Sequence, residues 1–293
     1  MKKFKLLPPA AFAVLVFLLG GCSNLKVLNP QGPVAKDQAH LIWWSLGFML
    51  FIVVGVFTAF TIIVIRYRDR PDHPNHDPEQ HGSKLLEFIW TAIPIIIIIC
   101  LAVPTVKSIY HLEHPTAKTQ PNVKPITIRV VSAQWKWIFV YPKQGIETVN
   151  YVDIPAGVPV KFQLTSAAGM TSFWVPQLGG QEYAMAGMMT DLILEASHPG
   201  TYEGKNTNFD GKEYTNMTFK VHSIPKQEFQ QWAQNVKQTA PKLTEKKFIS
   251  ILQPETTGKM SFSTTHLKWV DFSRMKDAGY AVKHYKMLPK KIH

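Results

Sequence analysis

Residues 41–65 carry no formal charge over 25 consecutive positions, a run that a water-soluble globule cannot accommodate. As a helix rising 1.5 Å per residue it would reach about 37 Å, more than the ~30 Å of a bilayer's hydrocarbon core. Trp43 and Trp44 stand at its first end, where indoles favour the water interface, and Arg66, Tyr67, Arg68 and Arg70 follow its last residue. Arginine after the helix marks the cytoplasmic side. A second uncharged run, residues 88–106, includes five successive isoleucines and predicts a returning span over residues 88–110. Pro94 and Pro104 interrupt it, which a membrane helix tolerates where a neighbour satisfies the freed carbonyls. Cys100 within it reads as a small packing residue. The cytoplasmic loop of residues 66–87 holds His73, His76 and His81 among Pro71, Pro74 and Pro78, a solvated turn in preference to a metal site.

The first 21 residues have a different logic. Lys2, Lys3 and Lys5 precede an apolar run too short to span, and the run closes on Gly20-Gly21-Cys22. That is the pattern of a bacterial lipoprotein signal, with Cys22 as the lipidated residue. Residues 22–40 are then an exterior N-terminal segment, and everything after the second span is exterior as well. The lipid and the arginines give the same orientation independently. The expected location is therefore the bacterial cell membrane, as a multi-pass lipoprotein. Against this background the formal charge of +12 is spread thinly along the chain, which argues against a nucleic-acid partner. Two cysteines are too few for a disulfide framework or a four-thiolate metal site.

Beyond the spans the pattern changes to short β-branched runs at residues 126–131, 135–141, 148–154, 158–164, 172–175, 191–196 and 217–221, separated by Pro and Gly turns. These predict a β-sandwich or barrel over residues 120–225. Phe229, Trp232 and Val236 recur at helical spacing within residues 226–238. The remaining extension, residues 226–293 in all, reads as a mostly helical tail of short amphipathic pieces. The whole is a membrane-anchored α+β chain: a two-helix hairpin, then an exterior β-domain.

Three motifs occur together: Glu87-Phe88-Ile89-Trp90-Thr91-Ala92-Ile93-Pro94, Gln134-Trp135-Lys136-Trp137-Ile138-Phe139-Val140-Tyr141, and Ser172-Phe173-Trp174-Val175-Pro176-Gln177-Leu178-Gly179. With two spans before an exterior β-domain, they resemble subunit II of the haem-copper respiratory oxidases over roughly residues 30–225. The resemblance implies a cupredoxin-like domain, which in cytochrome c-oxidising members holds the dinuclear CuA centre. Its ligand pattern, a histidine before Ser-Phe-Trp and a Tyr-x-Gly-x-Cys-x-Glu-x-Cys-Gly-x-x-His-x-x-Met segment, falls here on Thr171, Asn206, Asn208, Asp210 and Tyr214, with Met217 alone retained. An amide and a carboxylate cannot replace bridging thiolates, so the resemblance implies a domain without CuA. The glutamate position that also serves a magnesium site in the family is Asn208.

That departure, with Tyr183-Ala184-Met185-Ala186-Gly187-Met188, resembles the quinol oxidases, and most closely the aa-type menaquinol oxidases of Gram-positive bacteria. It implies a chain that binds no cofactor itself. A subunit I partner would carry the haems and copper, further small subunits would complete the complex, and menaquinol or ubiquinol would be oxidised as oxygen is reduced to water with proton translocation. Trp135, Trp137, Phe173 and Trp174 read as structural aromatics once there is no copper to feed. Glu87 matches a family glutamate at the mouth of a proton pathway, although an acid in a helix's first turn is also favourable in itself. Met170, Met185, Met188, Met189 and Met217 could suggest a copper(I) site, but methionine more often fills gaps, and His198 and His222 lack partners at metal-site spacing. The expected metal content of the chain is none. Two other readings compete: a copper-handling lipoprotein with a cupredoxin-like domain, which leaves the second span unexplained, and a cytochrome c oxidase with a rebuilt copper site, which the missing cysteines oppose. No mechanism suggests itself for Thr264, His266, Trp269 and Asp271.

Overall fold

The computed structural model describes residues 25–68, 82–113 and 124–285. Cys22, His73, His76 and His81 lie outside them. The chain divides into two compact units, residues 36–121 and the remainder.

The first unit is built on two helices, α1 (Pro33–Arg66) and α2 (Lys84–Glu113). Helix α1 begins eight residues before the uncharged run, because Lys36, Asp37 and His40 interrupt apolarity without interrupting helicity. Pro33 suits its first position, where no N–H is needed and φ is already helical. Phe51, Phe57, Phe60, Ile95, Ile98 and Val103 are all exposed, so both helices present uncovered apolar surface of the kind that lipid or a membrane partner covers.

Pro104 removes the helical hydrogen bond to the carbonyl of Cys100, four residues back. The indole of Trp44 on α1 donates to that carbonyl at 3.3 Å. Trp44→Phe is expected to cost about 1 kcal/mol of hairpin stability. Adding Pro104→Ala should recover it, since an alanine N–H would satisfy Cys100 within the helix. Thermal unfolding of the four variants in detergent checks this double cycle, and an equal loss in both backgrounds would refute the pairing.

The second unit is a β-sandwich. Its strands are β1 (Ile126–Ala133), β2 (Lys136–Tyr141), β3 (Ile146–Val149), β4 (Tyr151–Pro155), β5 (Val160–Ser166), β6 (Thr171–Trp174), β7 (Glu182–Ala184), β8 (Thr190–Leu194), β9 (Gly200–Asn206), β10 (Thr218–Ile224) and β11 (Met260–Phe262). One sheet runs β11-β3-β2-β1-β5-β8 and the other β4-β10-β9-β6-β7. The β1·β5 and β10·β4 pairs are parallel and the other pairs antiparallel, giving a cupredoxin-like sandwich. Trp137, Phe139, Tyr141, Phe162 and Phe173 fill its core. In β9 alternate residues Tyr202, Gly204 and Asn206 point inward, and Gly204 is required because the Phe219 ring lies where a Cβ would stand.

Residues 148–154, expected as one strand, are two. Asn150 adopts a left-handed φ of 59°, a conformation asparagine tolerates better than most residues. Its side chain fixes the corner, Oδ1 accepting from the Trp137 N–H at 2.9 Å and Nδ2 donating to the Thr257 carbonyl at 2.6 Å. Strand β3 therefore stays in one sheet while β4 crosses to the other.

The C-terminal extension contributes α3 (Lys226–Thr239), α4 (Glu245–Leu252) and α5 (Tyr280–His284) together with β11. Phe229, Ala233 and Val236 of α3 close one end of the main core. The rest forms a second core, in which Phe248, Leu252, Phe262 and Phe272 cover Val131, Ala133, Ile138 and Val149 on the outer face of the sheet. Both faces of β1 and β2 are thus buried. At the other terminus, residues 25–35 lie along the domain: Gln31 bonds by its N–H to Gln177 and by its carbonyl to Ser197, Lys26 pairs with Glu203, and Val34 is buried beside Gly179.

Candidate functional site

The positions matching the family's metal ligands gather at one end of the sandwich, on β6, on the end of β9 and on the connection into β10. Asn206 is the hub. Its Oδ1 accepts from the backbone N–H groups of Ser172, at 2.9 Å, and Asn208, at 3.0 Å. Those two bonds fix the amide's orientation and leave Nδ2, a donor, buried without a partner among the described residues. Asn208 in turn donates to the Met170 carbonyl at 2.8 Å. The Met217 carbonyl accepts from the Asn206 N–H and from the buried indole of Trp137. A single side chain therefore ties β6 to the loop after β9.

Asp210 anchors the rest of that loop. Its carbonyl accepts from Trp135 Nε1 at 2.6 Å, and its carboxyl lies against Gly169. The other carboxyl oxygen is buried without a partner among the described residues, and burial raises its pKa. Trp135 sits at the β1–β2 turn with a left-handed φ of 62°, which for a bulky side chain persists only when its surroundings hold it. Its ring rests on Gly211, and Gly211 itself has a φ of 83°. Tyr214 packs edge-on against the exposed Phe209 at 5.0 Å between centroids. From the extension, the buried hydroxyl of Tyr285 has its pKa raised by desolvation and then by the charge of Asp210. Thr171 is buried, and its hydroxyl finds no partner among the described residues.

The structure thus brings Asn206, Asn208, Asp210 and Met217 together with Trp135 and Trp137. Phe173 lies deeper, stacked on Phe219 at 4.8 Å, and Trp174 donates to the Gly179 carbonyl beneath Lys205. Of the methionines, Met170 and Met188 are exposed while Met217 is buried. The His222 ring meets the Thr201 hydroxyl at 3.1 Å and Lys259 at 3.5 Å. Burial, followed by Lys259 and Lys220, lowers its pKa. Among the described residues there is no cluster of three His, Cys, Asp or Glu side chains suited to a metal. Glu87 lies exposed in the first turn of α2, and its carbonyl accepts from the Thr91 hydroxyl.

Asn206→Ala would orphan two backbone N–H groups at once. The expected loss is about 2 kcal/mol of domain stability, with Asn206→Asp recovering part of it because a carboxylate can accept the same two bonds. Urea unfolding followed by tryptophan fluorescence checks this, and an alanine variant within about 0.5 kcal/mol of the parent would remove Asn206 as the hub.

Residues 23–108 match the family model "Cytochrome C oxidase subunit II, transmembrane domain" and residues 143–224 match "Cytochrome C oxidase subunit II, periplasmic domain". The quinol oxidase subunit 2 of Bacillus subtilis is 48% identical, over 95% of this chain and 86% of its own length. The chain belongs to the quinol oxidase subunit 2 family. The subunit 2 of Bacillus cereus is 50% identical over 91% of this chain and 92% of that one, and the probable quinol oxidase subunit 2 of Staphylococcus saprophyticus is 44% identical over 92% and 71%. As a member of this family the chain is a subunit of an oxidoreductase complex, membrane-anchored, with its β-domain exterior. Its implied partner is a subunit I.

The extension's pairings were not visible in the sequence. His266 and Glu147 are both fully buried and joined at 2.8 Å, Arg129 bonds Asp271 at 3.1 Å, and Lys136 donates to the Gln253 carbonyl at 2.5 Å. Their signal lay in charged residues placed inside otherwise apolar strands.

Proposed function

We propose that this subunit II serves a respiratory oxidase that takes its electrons from menaquinol, reduces oxygen to water and moves protons across the membrane, and that its exterior domain holds no CuA. The observation that carries the last point is the state of Asn206. The amide oxygen at a thiolate position is already bound by two N–H groups, and the atom left facing inward is a donor. Such a set does not fit a thiolate-bridged dicopper centre. Haems and copper then belong to the partner. This chain's contribution is to hold a rigid exterior domain against it and to cover it with two spans.

A two-crossing topology follows in the same reading. The packing of residues 25–35 on the exterior domain supports reading both ends of the hairpin as exterior, with Arg66 and Arg68 cytoplasmic. Cys22 as a lipid anchor agrees with the exterior side. The same reading gives Glu87, exposed in the first turn of α2, the role of a proton-entry group at the cytoplasmic mouth. Glu87→Ala is expected to slow turnover of the assembled complex roughly several-fold, less than the roughly 10²–10⁴-fold of a general acid–base group at the reacting atoms, while assembly is retained. Unchanged oxygen uptake would remove that role.

The test of the main reading is oxygen uptake by the complex purified in mild detergent, with a quinol and with reduced cytochrome c as alternative donors, alongside haem and copper analysis. Quinol-driven uptake with no copper in this chain is expected. Uptake from cytochrome c with copper in this chain would overturn the reading, and a haem-free chain purifying alone would favour a binding lipoprotein.

A further inference from the structure

Beneath α3, away from the Asn206 end of the sandwich, lies an open groove of about 600 Å³ between that helix, the start of β1 and the β2–β3 turn. Its floor is apolar, formed by Ile126, Val158 and Phe229. Its rim carries Lys124, Lys143, Lys226 and Lys237, and no carboxylate among the described residues lines it. Lys237 bridges the carbonyls of Gly145 and Ser263 at 2.8 Å each, which fixes the ammonium without neutralising it. Among the described residues none of the four enters an ion pair. Gln144 also lines the groove, and its side-chain oxygen is buried with no partner among the described residues.

We infer that this groove binds the headgroup of an anionic phospholipid. Four uncompensated ammonium groups call for an anion, and the apolar floor calls for an amphiphile over a simple ion. The chain itself supplies the setting: ten residues separate the end of α2 at Glu113 from Lys124, so the groove is tethered to a membrane helix. A bound headgroup would hold the exterior domain to the bilayer surface independently of the two helices.

The experiment is lysine acetylation of the full chain in nanodiscs, read residue by residue by mass spectrometry. Discs of phosphatidylcholine alone are compared with discs containing phosphatidylglycerol. Lys124, Lys143 and Lys226 are expected to react about fivefold more slowly in the anionic discs than in the neutral ones, beyond any slowing at the exposed Lys212 and Lys276. The protection should vanish near 1 M salt, where screening acts within about 3 Å. In the double variant Lys143→Glu/Lys226→Glu, Lys124 should lose its protection. Equal reactivity in both discs would overturn the inference, as would uniform slowing of all exposed lysines, which reports surface potential alone. Protection in neutral discs by soluble glycerol phosphate, or by the co-purified partner subunit, would overturn it too, assigning the groove to a free anion or a polypeptide.

Discussion

Glu147→Ala is expected to destabilise the exterior domain by about 3–5 kcal/mol, the cost of removing one member of a buried, hydrogen-bonded pair. One carboxylate oxygen of Glu147 accepts from the His266 backbone N–H at 2.9 Å and pairs with its Nδ1 at 2.8 Å. Neither side chain reaches solvent, so no water can replace the lost acceptor without opening the structure. The His266 ring is also stacked on Phe248, with centroids 4.5 Å apart and planes within 6°, so a displaced histidine disturbs the second core. That core is what holds the extension on the outer face of the sheet. Release of residues 241–285 to proteolysis should therefore accompany the loss. Glu147→Gln, which keeps an acceptor of similar shape, should cost about 1 kcal/mol. Denaturant unfolding and limited trypsin digestion of the detergent-solubilised chain check both. An alanine variant that loses under about 1 kcal/mol and keeps its extension protected would show that the pair is dispensable.

The same pair marks a limit of what the sequence discloses. The apolar helices were legible because a run of 25 uncharged residues matches the thickness of a bilayer and exceeds what a soluble core can bury on every side. Most strands followed from β-branched alternation, and α3 from the spacing of Phe229 and Val236. Alternation is blind to a one-residue corner, so the sheet switch at Asn150 leaves no trace in it. Strand β9 contains Gly200 and Gly204 and only one β-branched residue. Its inward alternation therefore shows only once Phe219 is seen over Gly204. His266 and Asp271 looked like functional residues without a mechanism because their partners, Glu147 and Arg129, lie 119 and 142 positions earlier. Spacing rules reach along a helix or across a hairpin, and not over that distance.

At the candidate site the family motif went further than local pattern could. It pointed to Asn206, Asn208, Asp210 and Met217 as one group; hydrogen bonds join Asn206, Asn208 and Met217 at one end of the sandwich, while the Asp210 carbonyl accepts from Trp135. What residue identity alone could not say is what the Asn206 amide bonds to. Its oxygen takes two backbone donors, from Ser172 and Asn208, and so ties the loop after β9 to β6. The left-handed Trp135 was equally hidden, since tryptophan gives no signal for positive φ. The reason is tertiary: Asp210 and Gly211 grip the indole from a loop 75 residues away.

Asp153→Asn is expected to stabilise the domain by about 2–4 kcal/mol near pH 8 and by little near pH 4. Asp153 is 7% exposed, one carboxyl oxygen has no partner among the described residues, and burial pushes its pKa up to about 7 against the opposing pull of Lys259. Around it stand Tyr141, which exchanges hydrogen bonds with the Asp153 backbone, Tyr151 on the same strand and His222 on the paired strand. The folded state holds the Asp153 proton more tightly than the unfolded chain, whose carboxyl has the ordinary value of 3.8. The stability linked to that proton is complete below 3.8 and is lost as pH rises through about 7. Each unit of difference is worth about 1.4 kcal/mol, and the pull of Lys259 is already contained in the value of about 7. Asparagine has no proton to lose, so its advantage should open across this window and then stay constant. Thermal unfolding of both chains near pH 4, 6 and 8 reads it directly. A difference that does not change with pH would mean that Lys259 already neutralises the carboxylate, and that this corner of the sandwich buries an ion pair in place of an acid.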